Sequence, residues 1–369
     1  AICGAGPVGL ALALHLLRRG AAAPRITLID ARPLEKAIHD PRSIALSWGS
    51  RQLLEEVGCW PVESDPIARI HVSRRGRFGR TLIEAQEYGV PALGYVARYG
   101  ALVRELSRAL EGSGVQILRP LHASSLDERV DQVDIRFAEG GTMQALWVVQ
   151  AEGGVFTEQD ARARQRDYDQ TGLIANVYCD AAQPGTAWER FTDEGPLALL
   201  PQEGGYALVW CVRPETASRL YALNDAAFLA ELQCAFGERL GRFTRVTPRH
   251  AYPLGLNAHE VATARTVVIG NAAQTLHPVA GQGLNLGLRD AAVLARELAT
   301  NDGPDALRQF ARKRRLDRGI TIGVTDALAR VFAQPPGPTQ SVLGLALGVI
   351  DALGPAKRAL AEQMMYGHR

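Results

Sequence analysis

Two glycine-rich stretches carry the residue types from which a site could be built. The first, "CGAGPVGLALALHLLRRG" (3–20), holds Gly4-x-Gly6-x-x-Gly9 where an apolar run turns into a helical pattern. The second, "GNAAQTLHPVAGQGLNLG" (270–287), mixes glycines with asparagine, glutamine and a His-Pro pair. Glycine lets a ligand approach bare backbone, and a helix N-terminus adds unpaired N–H donors at the positive end of a dipole. Groups of that kind hold phosphates and electron-rich rings through the main chain. The implied ligand is a nucleotide.

The elements around each stretch agree with that. Gly4, Gly6, Pro7 and Gly9 follow the strand-like "AIC" and open a helix with leucines at 10, 12, 14, 16 and 17, which stops near Gly20. The next strand, "RITLID", ends at Asp30, about twenty residues past the last glycine, where a ribose-binding carboxylate is expected. Before the second stretch, "RTVVI" (265–269) is a β-branched run of the kind buried in parallel sheets. After it, "LNLGLRDAAVLARELA" has helical spacing, so a helix is expected to begin near Gly283.

Between the two stretches the chain does not continue as repeated βαβ units. "DPRSIALSWGSRQLLEEVG" (40–58) reads as a loop leading into a helix, "IARIHVSRRGRFGRTLI" as short strands, and "GALVRELSRALEGSG" as a helix. From roughly 165 to 254, "TGLIANVYC", "AWERFT", "LALLP" and "YALVWCVR" read as strands, followed by the helix "DAAFLAELQCAFGERL". Their alternation predicts a sheet with one face against a ligand. The expected fold is α/β: a Rossmann-like nucleotide-binding domain with an inserted mixed β-sheet substrate domain and a C-terminal helical segment. Residues 1–68, 92–164 and 255–310 would form the first, 69–91 and 165–254 the second, and 311–369 the third. A nucleotide gripped at both an early and a late glycine motif is long and has two ends, which fits FAD. A plain NAD-dependent dehydrogenase is the competing reading.

Together these residues resemble the flavin-dependent aromatic hydroxylases, the family built like para-hydroxybenzoate hydroxylase. The resemblance extends to "DPRSIALS", "TGLIANV", "AWERFTDEGPLALLP", "AYPLGL" and "TIGVTDALARVFA", and so to nearly the whole chain. The late motif, with Asn271 and Gln274 where the family more often has Asp and His, is similar to the ubiquinone-biosynthesis branch. The resemblance implies an FAD- and NAD(P)H-dependent monooxygenase that uses O2 to hydroxylate a polyprenyl-methoxyphenol. It implies cofactor contacts at Gly4, Gly6, Pro7, Gly9, Asp30, Arg32, Arg42, Arg104, Gly270, Asn271, Gly281, Gln282, Gly283, Leu284 and Asn285. Arg42, His277 and Pro278 would lie where the reaction occurs. The family's middle motif, A-D-G-x-x-S-x-x-R, stands here as "AEGGVFTEQDAR", with Glu152 for the aspartate and Phe156 for the serine. Glu152 is expected to keep the charge. Trp188, Phe191, Leu199 and Trp210 are candidate walls of an apolar channel, or else an ordinary sheet core. A hydroxylase acting on another ring position or on a small phenol, and a weakly catalytic flavin-binding scaffold, are the alternatives.

Composition excludes other classes. The formal net charge is +2 and no basic stripe is interleaved with aromatics, so nucleic acid is not an expected partner. Five cysteines without CxxC spacing argue against a zinc site or a disulfide framework and for a reducing, cytoplasmic compartment. No metal is expected. No signal-peptide pattern and no apolar run of spanning length are present. The opening "AICGAG" reads as the middle of a strand, so a few native residues are expected before it. The tail "SVLGLALGVIDALGPAKRALAEQMMYGHR" is apolar and then mixed with Lys357 and Arg358. It is expected to lie on a membrane surface as an amphipathic helix, or to pack on the body, on a second copy or in a biosynthetic complex.

Overall fold

The computed structural model describes residues 1–75, 80–153, 164–258, 262–275, 282–301, 304–333 and 354–367. In chain order the helices are α1 (Pro7–Arg18), α2 (Leu34–Ile38), α3 (Trp48–Glu56), α4 (Tyr99–Leu110), α5 (Pro214–Ala222), α6 (Asp225–Phe236), α7 (Gln282–Thr300), α8 (Pro304–Ala333) and α9 (Gly354–Tyr366).

Five parallel strands form the first sheet, in the order Thr266–Val268, Val148–Gln150, Ile2–Cys3, Thr27–Ile29, Gln116–Leu118. Almost every residue in the inner strands is buried, as expected of a parallel sheet covered on both faces. Helices α1, α4 and α7 join one apolar core with these strands, including Leu10, Leu102, Leu106 and Leu294. A small antiparallel sheet (Ala123–Glu128, Val133–Phe137, Thr142–Ala145) shares a second core with Cys3, Ile29 and Val148.

The large sheet is mixed. Its strands run in the order Gln274–Thr275, His250–Ala258, Arg164–Cys179, Gly205–Val212, Pro196–Gln202, Thr186–Phe191, Arg69–Arg74, Arg80–Glu84. Helices α5 and α6 cover one face. Trp188, Leu199 and Trp210 point into that helical layer, where Trp188 meets Phe236 edge-on at 5.9 Å and Trp210 meets Phe228 at 6.0 Å. These three residues belong to a packed core and line no channel. Phe191, three residues beyond Trp188, is buried on the opposite face by strand alternation.

A three-stranded antiparallel sheet (Ser43–Ser47, Gly94–Arg98, Ser64–Ile67) lies between the parallel sheet and the large mixed sheet. Ile67 and Val96 of this sheet pack on Ala187 and Leu200 of the large one. Residues 43–47, expected as a loop, are a strand here, because all five pair with Gly94–Arg98. A five-residue segment with two serines is too short to announce itself, and the partner strand decides its state. Ser47 then starts α3, its Oγ accepting the Ser50 N–H at 3.2 Å.

Helix α8 is tied to α7 by buried charges. Arg314 donates to Asp290 at 2.7 Å and to Asp317 at 2.6 Å, and Arg289 reaches Asp317 at 3.1 Å. Helix α9 packs on the body, with Ala361 and Met365 buried beside Ile83 and Leu93, and Lys357 pairs with Glu87 at 2.9 Å. The apolar run before α9 lies outside the described residues. Among the described residues no helix is long and apolar enough to cross a membrane, and no group of His, Cys, Asp or Glu is placed to hold a metal ion. All five cysteines are free.

Candidate functional site

Strand order in the parallel sheet sets the place. From Ile2–Cys3 the chain moves outward to Thr27–Ile29 and Gln116–Leu118, then returns to the other side with Val148–Gln150 and Thr266–Val268. Where connections leave in opposite directions, a crevice opens at the C-terminal ends of the strands. Gly4 stands in that crevice with φ +105°, and a Cβ there would lie 2.7 Å from the Ala151 carbonyl carbon across the switch point. A Cβ at Gly9 would stand 1.9 Å from the Gly4 carbonyl oxygen, so α1 packs directly on the turn. Gly6 caps α1 in an extended conformation and Pro7 follows, with no side chain bonded to the first-turn N–H groups. Those donors suit an anion.

The late glycine motif meets the early one here. A Cβ on Gly287 would stand 2.7 Å from Val8 and 3.0 Å from the Gly270 Cα. Gly270 donates its N–H to buried Asp290 at 3.2 Å, which holds the strand end against α7. At the start of α7, Gln282 is nearly buried, Gly283 lies beside the Asn271 side chain, and Leu284 packs on the main core. Asn285 is a clamp: it accepts from the Ser47 N–H at 2.8 Å and donates to the Ala45 carbonyl at 2.9 Å. Gly281, His277 and Pro278 lie outside the described residues, as does Phe156.

Around the first turn the acidic and basic candidates converge. Asp30 accepts the Ala5 N–H at 2.7 Å and the Arg32 N–H at 2.8 Å, one on each oxygen. Each oxygen has a second lone-pair position, so Asp30 braces the turn and can still accept a hydroxyl. Arg32 donates to the Tyr99 hydroxyl at 3.5 Å, and Arg42 lies over the Tyr99 ring at 4.7 Å while pairing with Asp40 at 2.7 Å. The hydrogen bond to Asp40 raises the Arg42 pKa and keeps it charged. Arg104 is exposed on α4 and donates to the Ile38 carbonyl at 3.4 Å.

Three residues join this site that motif spacing did not single out or described differently. Tyr99 begins α4, and its hydroxyl would lie 2.9 Å from a Cβ on Gly6. Arg119, just past the strand Gln116–Leu118, donates to the Ala5 carbonyl and leaves Nε and Nη1 buried without a partner. No local pattern marks it, because its place follows from strand order alone. Glu152, beside Gly4, differs from the expectation of a kept charge: burial first and the negative charge of Asp30 second push its carboxyl up to about 7. Near neutral pH it is part protonated.

A pyrophosphate-bearing cofactor fits this cradle. Side chains would fill it at Gly4, Gly6 and Gly9. The amide of Gln274, 1% exposed in the edge strand Gln274–Thr275 of the large sheet, has both polar atoms buried without a partner. An orphaned buried amide is costly unless a ligand meets it.

Comparison with known proteins decides which cofactor. The "FAD binding domain" family matches residues 1–318. The chain belongs to that family. It is a flavin-dependent monooxygenase with FAD as its cofactor. Relatives extend along the whole chain. "Ubiquinone hydroxylase UbiL" of Rhodospirillum rubrum is 33% identical, covering 99% of this chain and 88% of its own. "3-demethoxyubiquinol 3-hydroxylase" of Escherichia coli is 30% identical, covering 97% and 96%. Among solved structures, p-nitrophenol 4-monooxygenase PnpA from Pseudomonas putida superposes with a TM-score of 0.79 at 16% identity, covering 100% and 98%. Klebsiella pneumoniae HpxO, complexed with FAD and uric acid, superposes at 0.77 and 14%, covering 99% and 96%. The α/β flavoprotein fold with a mixed second sheet and a helical C-terminal segment is therefore the fold of this chain.

Proposed function

We propose that this flavin monooxygenase hydroxylates the ring of a lipid-tailed phenol, a polyprenyl-methoxyphenol of ubiquinone biosynthesis. The observation that carries the reading is whole-chain similarity to two enzymes named for hydroxylations of ubiquinone intermediates. The geometry adds an apolar cavity of about 60 Å³ lined by Gln282, Asn285, Ile67, Ile70 and Ile83. Met364 and Met365 of α9 also line it, and it would admit part of an isoprenoid chain only where these flexible side chains move aside.

When bound, FAD supplies the redox chemistry, taking electrons from NAD(P)H and activating O2. This chain's own residues do the rest. The N–H groups of the Gly4–Gly9 turn would hold the pyrophosphate, with Arg119 and Arg32 adding positive charge, and Asp30 would take a ribose hydroxyl. Asn271, Gln274 and the start of α7 would meet the ribityl and ring end, where helix N–H groups favour negative charge. Asn285 fixes α7 to the strand Ser43–Ser47, so the ring end and the cavity wall keep one spacing. The large sheet and α9, which both line the cavity, would shield the reacting ring from water. A substrate with an isoprenoid tail resides in lipid, and peripheral contact with a membrane belongs to the same proposal.

The test is anaerobic reduction followed by turnover. The purified protein is expected to show flavin absorbance that NADPH or NADH bleaches, faster with a prenylated phenol present. Admitting O2 should then give one hydroxylated product by mass spectrometry. Persistent flavin bands under every combination would favour a binding scaffold instead.

A further inference from the structure

We propose that Glu189 is the group that receives the hydroxyl of the phenolic substrate in a hydrogen bond. The inference rests on the functional reading above and names the residue that orients the ring.

One row crosses the middle of the large sheet. Val72, Glu189, Ala198, Val209 and Ile174 are paired in register across five adjacent strands. Paired residues share a face, so all five side chains point the same way. All five are partly accessible, whereas Leu173, Leu199 and Leu208 on the opposite face are sealed at 1% or less. Partial accessibility shows that this row is not sealed as the opposite face is.

The accessible face lies on the cofactor side. Ala187, two residues before Glu189 on the same face, packs against Ile67 and Val96 of the three-stranded sheet. Ile70, two residues before Val72, lines the cavity shared with Gln282 and Asn285. Successive same-face positions are about 7 Å apart along a strand, so Glu189, paired with Val72, stands one step along and one strand across from the cavity-lining Ile70.

Glu189 is the one ionisable side chain in the row. Its Oε1 is closed to solvent and has no hydrogen-bond partner. Burial pushes its carboxyl up to about 7, and the neighbouring Cys211 thiol is pushed up in turn, by burial first and then by the charge of Glu189. A carboxyl oxygen buried without a partner weakens the fold, so packing gives no reason for it. A phenol hydroxyl is a donor and would supply the missing partner. Sharing its proton with the carboxylate leaves more negative charge on the ring oxygen. That enriches the ortho and para carbons, where an electrophilic oxygen attacks.

The FAD-loaded protein would be titrated with 2-prenylphenol and with its methyl ether, which lacks the donor, by calorimetry without any electron donor. The unaltered protein is expected to prefer the phenol by about tenfold or more, the worth of a hydrogen bond to a charged acceptor. In Glu189→Leu that preference should fall to within about twofold, while Glu189→Gln, which keeps an acceptor oxygen, should hold an intermediate value. No preference in the unaltered protein, or a preference that survives in Glu189→Leu, overturns the assignment. Turnover separates the two claims: absence of a hydroxylated product from the unaltered enzyme with NAD(P)H and O2 defeats the functional reading, whatever the titrations give.

Discussion

At the switch point of the parallel sheet, the groups offered to a ligand are mostly main-chain. Gly4, Gly6 and Gly9 let α1 and its N–H donors come close, and Asp30 spends two acceptor positions on holding that backbone in place. On the accessible face of the large sheet the arrangement is the reverse. There the backbone is occupied in strand ladders, and only side chains such as Glu189, Val72 and Ile174 can meet a ligand. Backbone recognition suits a cofactor whose shape never changes. Side-chain recognition suits a substrate, because residues on a finished sheet can be exchanged without disturbing the ladder. The two regions should therefore fail differently when altered.

The largest effect is expected in the crevice. In Gly9→Ala the added carbon meets the Gly4 carbonyl oxygen, a backbone atom that can move only with its strand. Overpacking of this kind costs about 1–3 kcal/mol or more. Both melting temperature and retained flavin should drop, and normal flavin content in a stable Gly9→Ala protein would show that α1 does not seat directly on the turn.

Next comes the bracing behind the late motif. Arg314→Met leaves Asp290 and Asp317 buried without their main cation, at about 3–5 kcal/mol for a broken buried pair, offset in part by the remaining Arg289 contact. Because Asp290 also holds the Gly270 N–H, flavin affinity should fall together with stability in denaturant titrations. Stability lost with flavin affinity unchanged would detach this network from the site.

A smaller effect compares the two acids directly. Burial raises Glu152 and Glu189 to about 7, with Asp30 contributing at Glu152. A carboxyl raised on folding is harmless below its unfolded value, about 4.3, and weakens the fold as pH rises through its folded value. Stability of the unaltered protein should therefore decline between about pH 4 and pH 7, by on the order of 1–3 kcal/mol for each acid. Glu152→Gln and Glu189→Gln should each flatten the slope in thermal scans across that range. An unchanged slope in both would mean that neither carboxyl is held near neutrality.

The smallest effect is expected at Arg104. It is exposed and bonded to the protein by one long hydrogen bond, so Arg104→Ala should shift stability by no more than about 0.5 kcal/mol. Flavin affinity should stay within about twofold, and a larger loss would restore the pyrophosphate contact that its resemblance to the family implies.

The cofactor half was legible from the sequence because its physics is local. Glycine spacing, Pro7 at a helix start and an acid at a strand end each describe a few consecutive residues, and a turn with those residues forms in much the same way wherever it occurs. The family resemblance added the late motif on the same kind of signal. Tertiary structure decided everything that depends on which strands are neighbours. It brought Val8 against Gly270 and Gly287, placed Arg119 beside Ala5, and made a strand of residues 43–47 by pairing them. It also turned Trp188 and Trp210 toward α6 and left Glu189 on the open face. Alternation along a strand shows that neighbouring side chains face opposite ways, but which face a helix covers is settled only when the sheet and its helices pack.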